Sequence, residues 1–149
     1  MSAMHFVPLP PFDHALEMSA PEKQPLRRLA PHWLPFLPRI ADRTDETIEE
    51  LLDAIRDNRI GLGIVWDGSR AHALVGYMLR PAGRELIGEV HWITGWGTKR
   101  WRELLPELEQ FLKDYHHCTI IKPICRPGWK PFLKQHGYKQ THVMMEKLL

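Results

Sequence analysis

The stretch LIGEVHWITGWGTKRW, residues 86–101, joins two periodicities across a single glycine turn. From Leu86 to Thr94 an apolar run bounded by turn residues reads as a strand. Beyond Gly95 and Gly97, the residues Trp101, Leu104, Leu105, Leu108, Phe111, Leu112 and Tyr115 recur at steps of three and four, the stripe of a core-facing helix. Glycines at such a junction let the backbone approach a ligand closely, and the helix start offers free amides and partial positive charge, which together suit a phosphate group. Lys99, Arg100 and Arg102 stand in the first helical turn, where the helix dipole disfavours cations, so a bound anion would relieve them. Ile93, Thr94, Gly95, Trp96, Gly97, Thr98, Lys99 and Arg100 are therefore the candidate binding set. The other reading of the same residues is an exposed basic turn beside an ordinary strand-to-helix connection.

Upstream, a turn containing Pro81, Ala82 and Gly83 separates this strand from an apolar run over Ala71 to Leu79. Asp67 and Gly68 then mark a hairpin back to Gly61–Val65, giving a three-stranded antiparallel meander. Before it, Ile48, Leu51, Leu52 and Ile55 have helical spacing, with Thr44 as the expected N-cap, Asp45 and Glu46 complementing the dipole, and an end near Asn58. Eight of the 13 prolines lie in the first 38 residues, so residues 1–43 are expected to be irregular. Trp33, Leu34, Phe36, Leu37 and Ile40 are too apolar for a linker and predict short helical turns packed on the core.

Downstream, Pro106 predicts a kink about two turns into the long helix. Thr119 to Ile124 reads as a fourth, buried strand, reached by a helical crossover and so parallel to the third. Pro127 to His136 reads as a short helix stopped by Gly137, and Thr141 to Leu149 as the last strand. The fold class is thus α/β in the three-layer α+β sense: one domain over residues 1–149 with its core in 44–149, and a mixed, mainly antiparallel sheet flanked by helices. Its one parallel strand pair is expected to splay at the glycine turn.

This order of elements, with the Gly95-Trp96-Gly97 turn and the segment Phe132-Leu133-Lys134-Gln135-His136-Gly137-Tyr138, resembles the GNAT superfamily of acyl-CoA-dependent acyltransferases over residues 44–149. The resemblance implies acetyl-CoA as cosubstrate at the glycine turn and a small-molecule or protein amine as acceptor. Two positions depart from the family pattern. Trp92 stands where Gln or Arg is usual before the glycines, and Leu133 stands where a general-acid tyrosine is frequent. The segments Thr94–Trp101 and Arg126–Tyr138 also resemble GNAT-like proteins of tailed bacteriophages, among them internal virion proteins, which implies virion partners and a non-catalytic module as the alternative.

Aminolysis of a thioester needs a base for the ammonium proton, and Glu89 and His91, two residues apart on one strand face, are the candidates in that order. Polar residues on a solvent-facing strand side would look the same. The nine histidines show no helical His-x-x-x-His spacing and no Cys-x-x-Cys accompanies them, so no metal is expected. Cys118 and Cys125, an odd offset apart, are not expected to pair. Lys122, Arg126, Lys130 and Lys134, interleaved with Trp129 and Phe132, could serve nucleic acid or an acidic partner protein, but such a cluster is more usually a solvated basic face.

With 44% hydrophobic and 26% charged residues the chain is that of an ordinary folded domain. A formal net charge of +2 gives no global field for nucleic acid, no run reaches a membrane span, and the start lacks a secretory pattern, so a reducing cytoplasm, of a cell or a phage host, is the expected compartment.

Overall fold

The computed structural model describes residues 3–149. Five strands, β1 (His5–Pro8), β2 (Gly61–Trp66), β3 (Ala71–Ala82), β4 (Glu85–Gly95) and β5 (Ile120–Pro123), form one sheet in the order β1-β2-β3-β4-β5. The first four are antiparallel neighbours, and β5 runs parallel to β4. β1 was not legible in the sequence: it is four residues long and ends on a proline, below the length at which alternation can be read.

Strand side chains alternate between two helical layers. On one face Leu62, Ile64, Leu74 and Trp92 meet Leu26, Trp33, Phe36, Leu37 and Ile40 from the N-terminal segment, and Leu51 and Ile55 from α5 (Ile48–Arg56). The N-terminal segment is a chain of short helical turns, including α1 (His14–Ser19), α2 (Pro25–Arg28), α3 (Ala30–Trp33) and α4 (Leu37–Ala41). On the other face Val75, Tyr77 and Val90 pack against α7 (Leu105–Asp114) through Leu105, Leu108 and Leu112, and against α8 (Lys130–Gln135) through Phe132 and Leu133. Each fully buried leucine contributes about 1.5–3 kcal/mol of transfer free energy, so the two layers hold the sheet from both sides.

Several expectations need correction. The N-cap of α5 is Thr47, not Thr44: Thr47 accepts the Glu50 amide at 3.1 Å while the Glu50 carboxylate accepts the Thr47 amide at 3.2 Å. This reciprocal capping box satisfies two donors where a lone hydroxyl would satisfy one. Thr44 instead donates to the Ile40 carbonyl at 3.0 Å, closing the previous helix. The β3–β4 turn is the two residues Gly83 and Arg84, with Pro81 and Ala82 paired to Leu86 and Glu85. A two-residue hairpin needs a left-handed residue, which Gly83 supplies at φ 64°.

Pro106 does more than kink the long helix. The chain forms α6 (Thr98–Trp101), one 3₁₀ turn over Arg102–Leu104, and then α7, which starts at Leu105 with the proline in its first turn. At that position the missing amide costs nothing, so the helix restarts instead of bending. Gly137, at φ 88°, ends α8 as expected. The last predicted strand is not formed: residues 141–149 have no strand pairing among the described residues, and Val143, Met144, Met145, Leu148 and Leu149 are exposed. The sheet edge they would have joined is β5, four residues long and ending on Pro123, which presents only about two outward amides to a neighbour.

Candidate active site

The parallel ladder between β4 and β5 stops early. Its last rung pairs Val90 with Pro123, and the Ile124 amide donates to the Val90 carbonyl at 2.8 Å. β4 runs on to Gly95 against β3, whereas the chain beyond β5 turns away through Cys125, Arg126 and Pro127. An extra residue drives the divergence: Gly76 pairs with Trp92 and Tyr77 with Val90, leaving His91 unpaired in a β-bulge. Pro123, which has no amide, weakens the ladder at the same level. The sheet therefore opens into a V, as expected for a parallel pair splayed toward the glycine turn.

A cavity of about 280 Å³ fills the opening. His91, Trp92, Ile93 and Thr94 form one wall, and Ile124, Cys125, Arg126 and Trp129 the other. Ile40 from the end of α4, and Arg43 and Thr44 from the connection between α4 and α5, roof it.

His91 faces this cavity, and Glu89 stands behind it. The His91 Nε2 lies 3.0 Å from one Glu89 oxygen, and the Arg80 Nε donates to the other at 2.5 Å. Arg80 first, then His91, hold the Glu89 carboxyl below its ordinary range against the opposing effect of burial. Glu89 is thus a fixed anion already engaged on both oxygens. With His91 donating from Nε2, the lone pair of its Nδ1 is free. Of the two candidate bases, only His91 lines the cavity.

The glycine-turn residues divide. Ile93 and Thr94 line the cavity, whereas Gly95 to Arg100 lie past its end, where β4 turns into α6. The Trp96 amide donates to the His72 carbonyl at 3.1 Å, and its ring packs against Phe36 and beneath the Arg39 guanidinium. Gly97 caps α6 in the left-handed conformation, φ 68°, which favours a residue without a Cβ. Among the described residues the amides of Gly97, Thr98 and Lys99 have no acceptor. Lys99 and Arg100 are exposed beside them.

Both departures from the family pattern are buried. Trp92 lies over Gly76, where a Cβ would come within 2.3 Å of the indole, and its ring belongs to the core beneath the N-terminal helices. Leu133 packs in the core under α7.

Arg43 was not anticipated, and Arg126 was read as part of a solvated face. The Arg43 Nη1 lies 3.5 Å from the Thr94 hydroxyl. Partial desolvation, then the repulsion of Arg126 and Arg39, pull its proton affinity below the ordinary arginine value. No local pattern could have announced this grouping, because it arises only when the α4–α5 connection closes over β4. The other members of the basic cluster separate: Lys122 sits at the Glu89 register of the sheet, while Lys130 and Lys134 are exposed on α8.

No protein-family model and no curated protein sequence matches this chain. Solved structures do. The ribosomal-protein-alanine N-acetyltransferase from Brucella melitensis biovar Abortus 2308 superposes with a TM-score of 0.62 at 13% identity, covering 99% of both chains. Glucosamine-6-phosphate N-acetyltransferase from Arabidopsis thaliana gives 0.60 at 14% identity, covering 98% of both. The aminoglycoside acetyltransferase meta-AAC0020 from an uncultured soil metagenomic sample, in complex with sisomicin, gives 0.59 at 8% identity, covering 98% of this chain and 96% of its own. At such identities the likeness establishes the fold, and that fold is the one GNAT acetyltransferases share. Among the described residues no helix is long and apolar enough to cross a membrane.

Proposed function

We propose that this protein is an acetyl-CoA-dependent N-acetyltransferase whose base is His91, positioned by Glu89. The observation that carries this reading is the His91–Glu89–Arg80 chain of contacts ending on the wall of the splayed cavity. The residues also suit the cosubstrate. The free amides of Gly97, Thr98 and Lys99, with the Lys99 and Arg100 charges, would hold its pyrophosphate, and the β4 backbone left unpaired beyond Val90 would take its amide arm. Acetyl-CoA supplies a thioester whose carbonyl carbon an amine attacks, the bond to the CoA sulfur breaking as the amide forms.

His91 accepts the ammonium proton at Nδ1, freeing the amine lone pair. Glu89 fixes the ring by accepting from Nε2 and stabilises the imidazolium, and Arg80 keeps Glu89 ionised. The second proton, shed by the attacking nitrogen as the amide forms, passes through water to the departing thiolate, because Leu133 offers none. Leu133 and Trp92 favour a second reading, a binding module that keeps the fold without the chemistry. No feature of the fold or cavity supports the narrower likeness to phage virion proteins.

Calorimetry with CoA tests the first reading. CoA is expected to bind, and at about 100 times its dissociation constant to stabilise the fold by about 2.7 kcal/mol. A Lys99→Glu, Arg100→Glu variant should keep its melting temperature, since acids suit a helix start, while losing CoA affinity by about tenfold or more. His91→Gln should bind CoA normally and lower acetyl transfer by roughly 10²–10⁴-fold. No heat and no melting shift at millimolar CoA would favour the binding module.

A further inference from the structure

Of the twelve arginines, Arg27, Arg56, Arg59 and Arg80 have a carboxylate within 4 Å among the described residues. Arg43 and Arg126 have none among the described residues, although they come from distant parts of the chain to line one cavity. Asp42 is the one acid whose field favours the charge on Arg43, and it forms no ion pair with it. Glu89, which stands behind His91, is already engaged by Arg80 and His91. Two guanidinium groups are thus held in mutual repulsion over a cavity, with Arg39 adding to it from above the Trp96 ring. An arrangement of that kind is stabilised by an anion between the two, and the planar guanidinium fork matches a carboxylate or phosphate in bidentate geometry.

We propose that Arg43 and Arg126 form an anion subsite on the acceptor side of the cavity, so that the amine acetylated here carries a carboxylate or phosphate group. This rests on the acetyltransferase reading above. Position separates the subsite from the pyrophosphate cradle. Arg43 reaches Thr94 from the layer that covers Leu74 and Trp92, whereas α6 packs on the opposite face, Trp101 meeting Val65 and Ala73. His91, on the same wall as Thr94, then lies beside the acceptor. A cavity of about 280 Å³ suits a small amine or the end of a peptide, and its two arginines select for charge before shape.

The test uses the whole chain loaded with CoA, with inorganic phosphate as the probe and the Trp129 indole N–H signal as the readout. Saturable phosphate binding is expected, weakened by about tenfold or more in an Arg43→Gln, Arg126→Gln variant whose CoA affinity stays within about twofold of the parent. Both residues are exposed, so the variant should fold, and its melting curve checks this. In turnover, 2-aminoethyl phosphate should exceed ethanolamine as acceptor in the parent and lose that advantage in the variant. No phosphate binding to the CoA-loaded parent, or equal binding to both proteins, overturns the proposal. A comparable loss of CoA affinity in the variant also overturns it, because the arginines would then serve the CoA phosphates. If CoA itself fails to bind the parent, the acetyltransferase reading falls and the acceptor assignment with it. Phosphate titrated into the free proteins then decides separately whether the two arginines bind anions at all.

Discussion

Residues 25–41 and residues 141–149 are both rich in large apolar side chains, yet the first group is buried and the second lies in solvent. Leu37 and Phe36 are 0% and 2% exposed, whereas Met144 and Leu148 are 93% and 97% exposed. Apolarity therefore does not decide burial; the presence of a surface that the backbone can reach with its own polar groups satisfied does. In the N-terminal segment the prolines bring this about. Pro21, Pro25, Pro31, Pro35 and Pro38 each fall in the first turn of a short helix, where the lost amide would have had no partner. They start turns instead of breaking them, and each new turn redirects the chain so that Leu26, Trp33, Phe36, Leu37 and Ile40 point at the sheet. The C-terminal segment would have to form a strand, and a strand needs an edge.

The largest expected effect lies in the first region. Leu37→Ala should destabilise the fold by roughly 2–5 kcal/mol, since the cavity it leaves is walled by α5 and the sheet and cannot collapse. Chemical denaturation would read this as a lowered midpoint with an unchanged slope. A change below about 1 kcal/mol would show that the N-terminal turns are only loosely held, and the contrast between the two ends would weaken.

Gln24 sharpens the same contrast at intermediate size. Its side chain is fully buried, accepting the Asp13 amide at 2.9 Å and donating to the Asp13 carbonyl at 2.7 Å, so one side chain satisfies both backbone groups of the residue that caps α1. Gln24→Ala would strand the Asp13 amide, while the carbonyl keeps the Glu17 amide at 3.1 Å, and should cost about 1–3 kcal/mol. Hydrogen exchange should locate the loss in α1 and the turn after it, leaving the β2–β4 amides protected. Equal loss of protection throughout would mean that the N-terminal layer is not a unit of its own.

What could be read in advance follows the same division between local and distant causes. The runs forming β2, β3 and β4, the glycine turn, and α8 with Gly137 are set by neighbours a few positions apart, and a sequence displays those directly. Thr47 was legible in principle, because Glu50 stands three residues on, but Thr44 with Asp45 and Glu46 made the same signal less completely. The cavity was only half visible. His91, Ile93 and Thr94 share one strand, whereas Arg43, Arg126 and Trp129 reach it through packing that brings separate elements together. The exposed tail failed for the converse reason: its composition suited a strand, and nothing in the composition says whether an edge is open to receive it.

The smallest expected effect tests that last point. Residues 141–149 make no sheet pairing among the described residues, and β5 offers a neighbour only a short, proline-ended edge. Substitutions of exposed side chains change stability within about 0.5 kcal/mol, so a Val143→Ser, Met144→Ser, Met145→Ser variant should unfold at the same denaturant midpoint as the parent. It should also be the more soluble of the two, because it removes a run of exposed apolar residues of the kind that drives association. Measuring the midpoint across a range of protein concentrations distinguishes two ways of being wrong. A loss of stability that is independent of concentration would mean that the tail packs on its own β5 edge, and the difference between the two ends would be one of degree. A loss that grows with concentration would mean that the tail finds its partner on another copy. Only an unchanged midpoint at every concentration would leave the comparison as drawn, with one apolar end folded by its prolines and the other without a surface to meet.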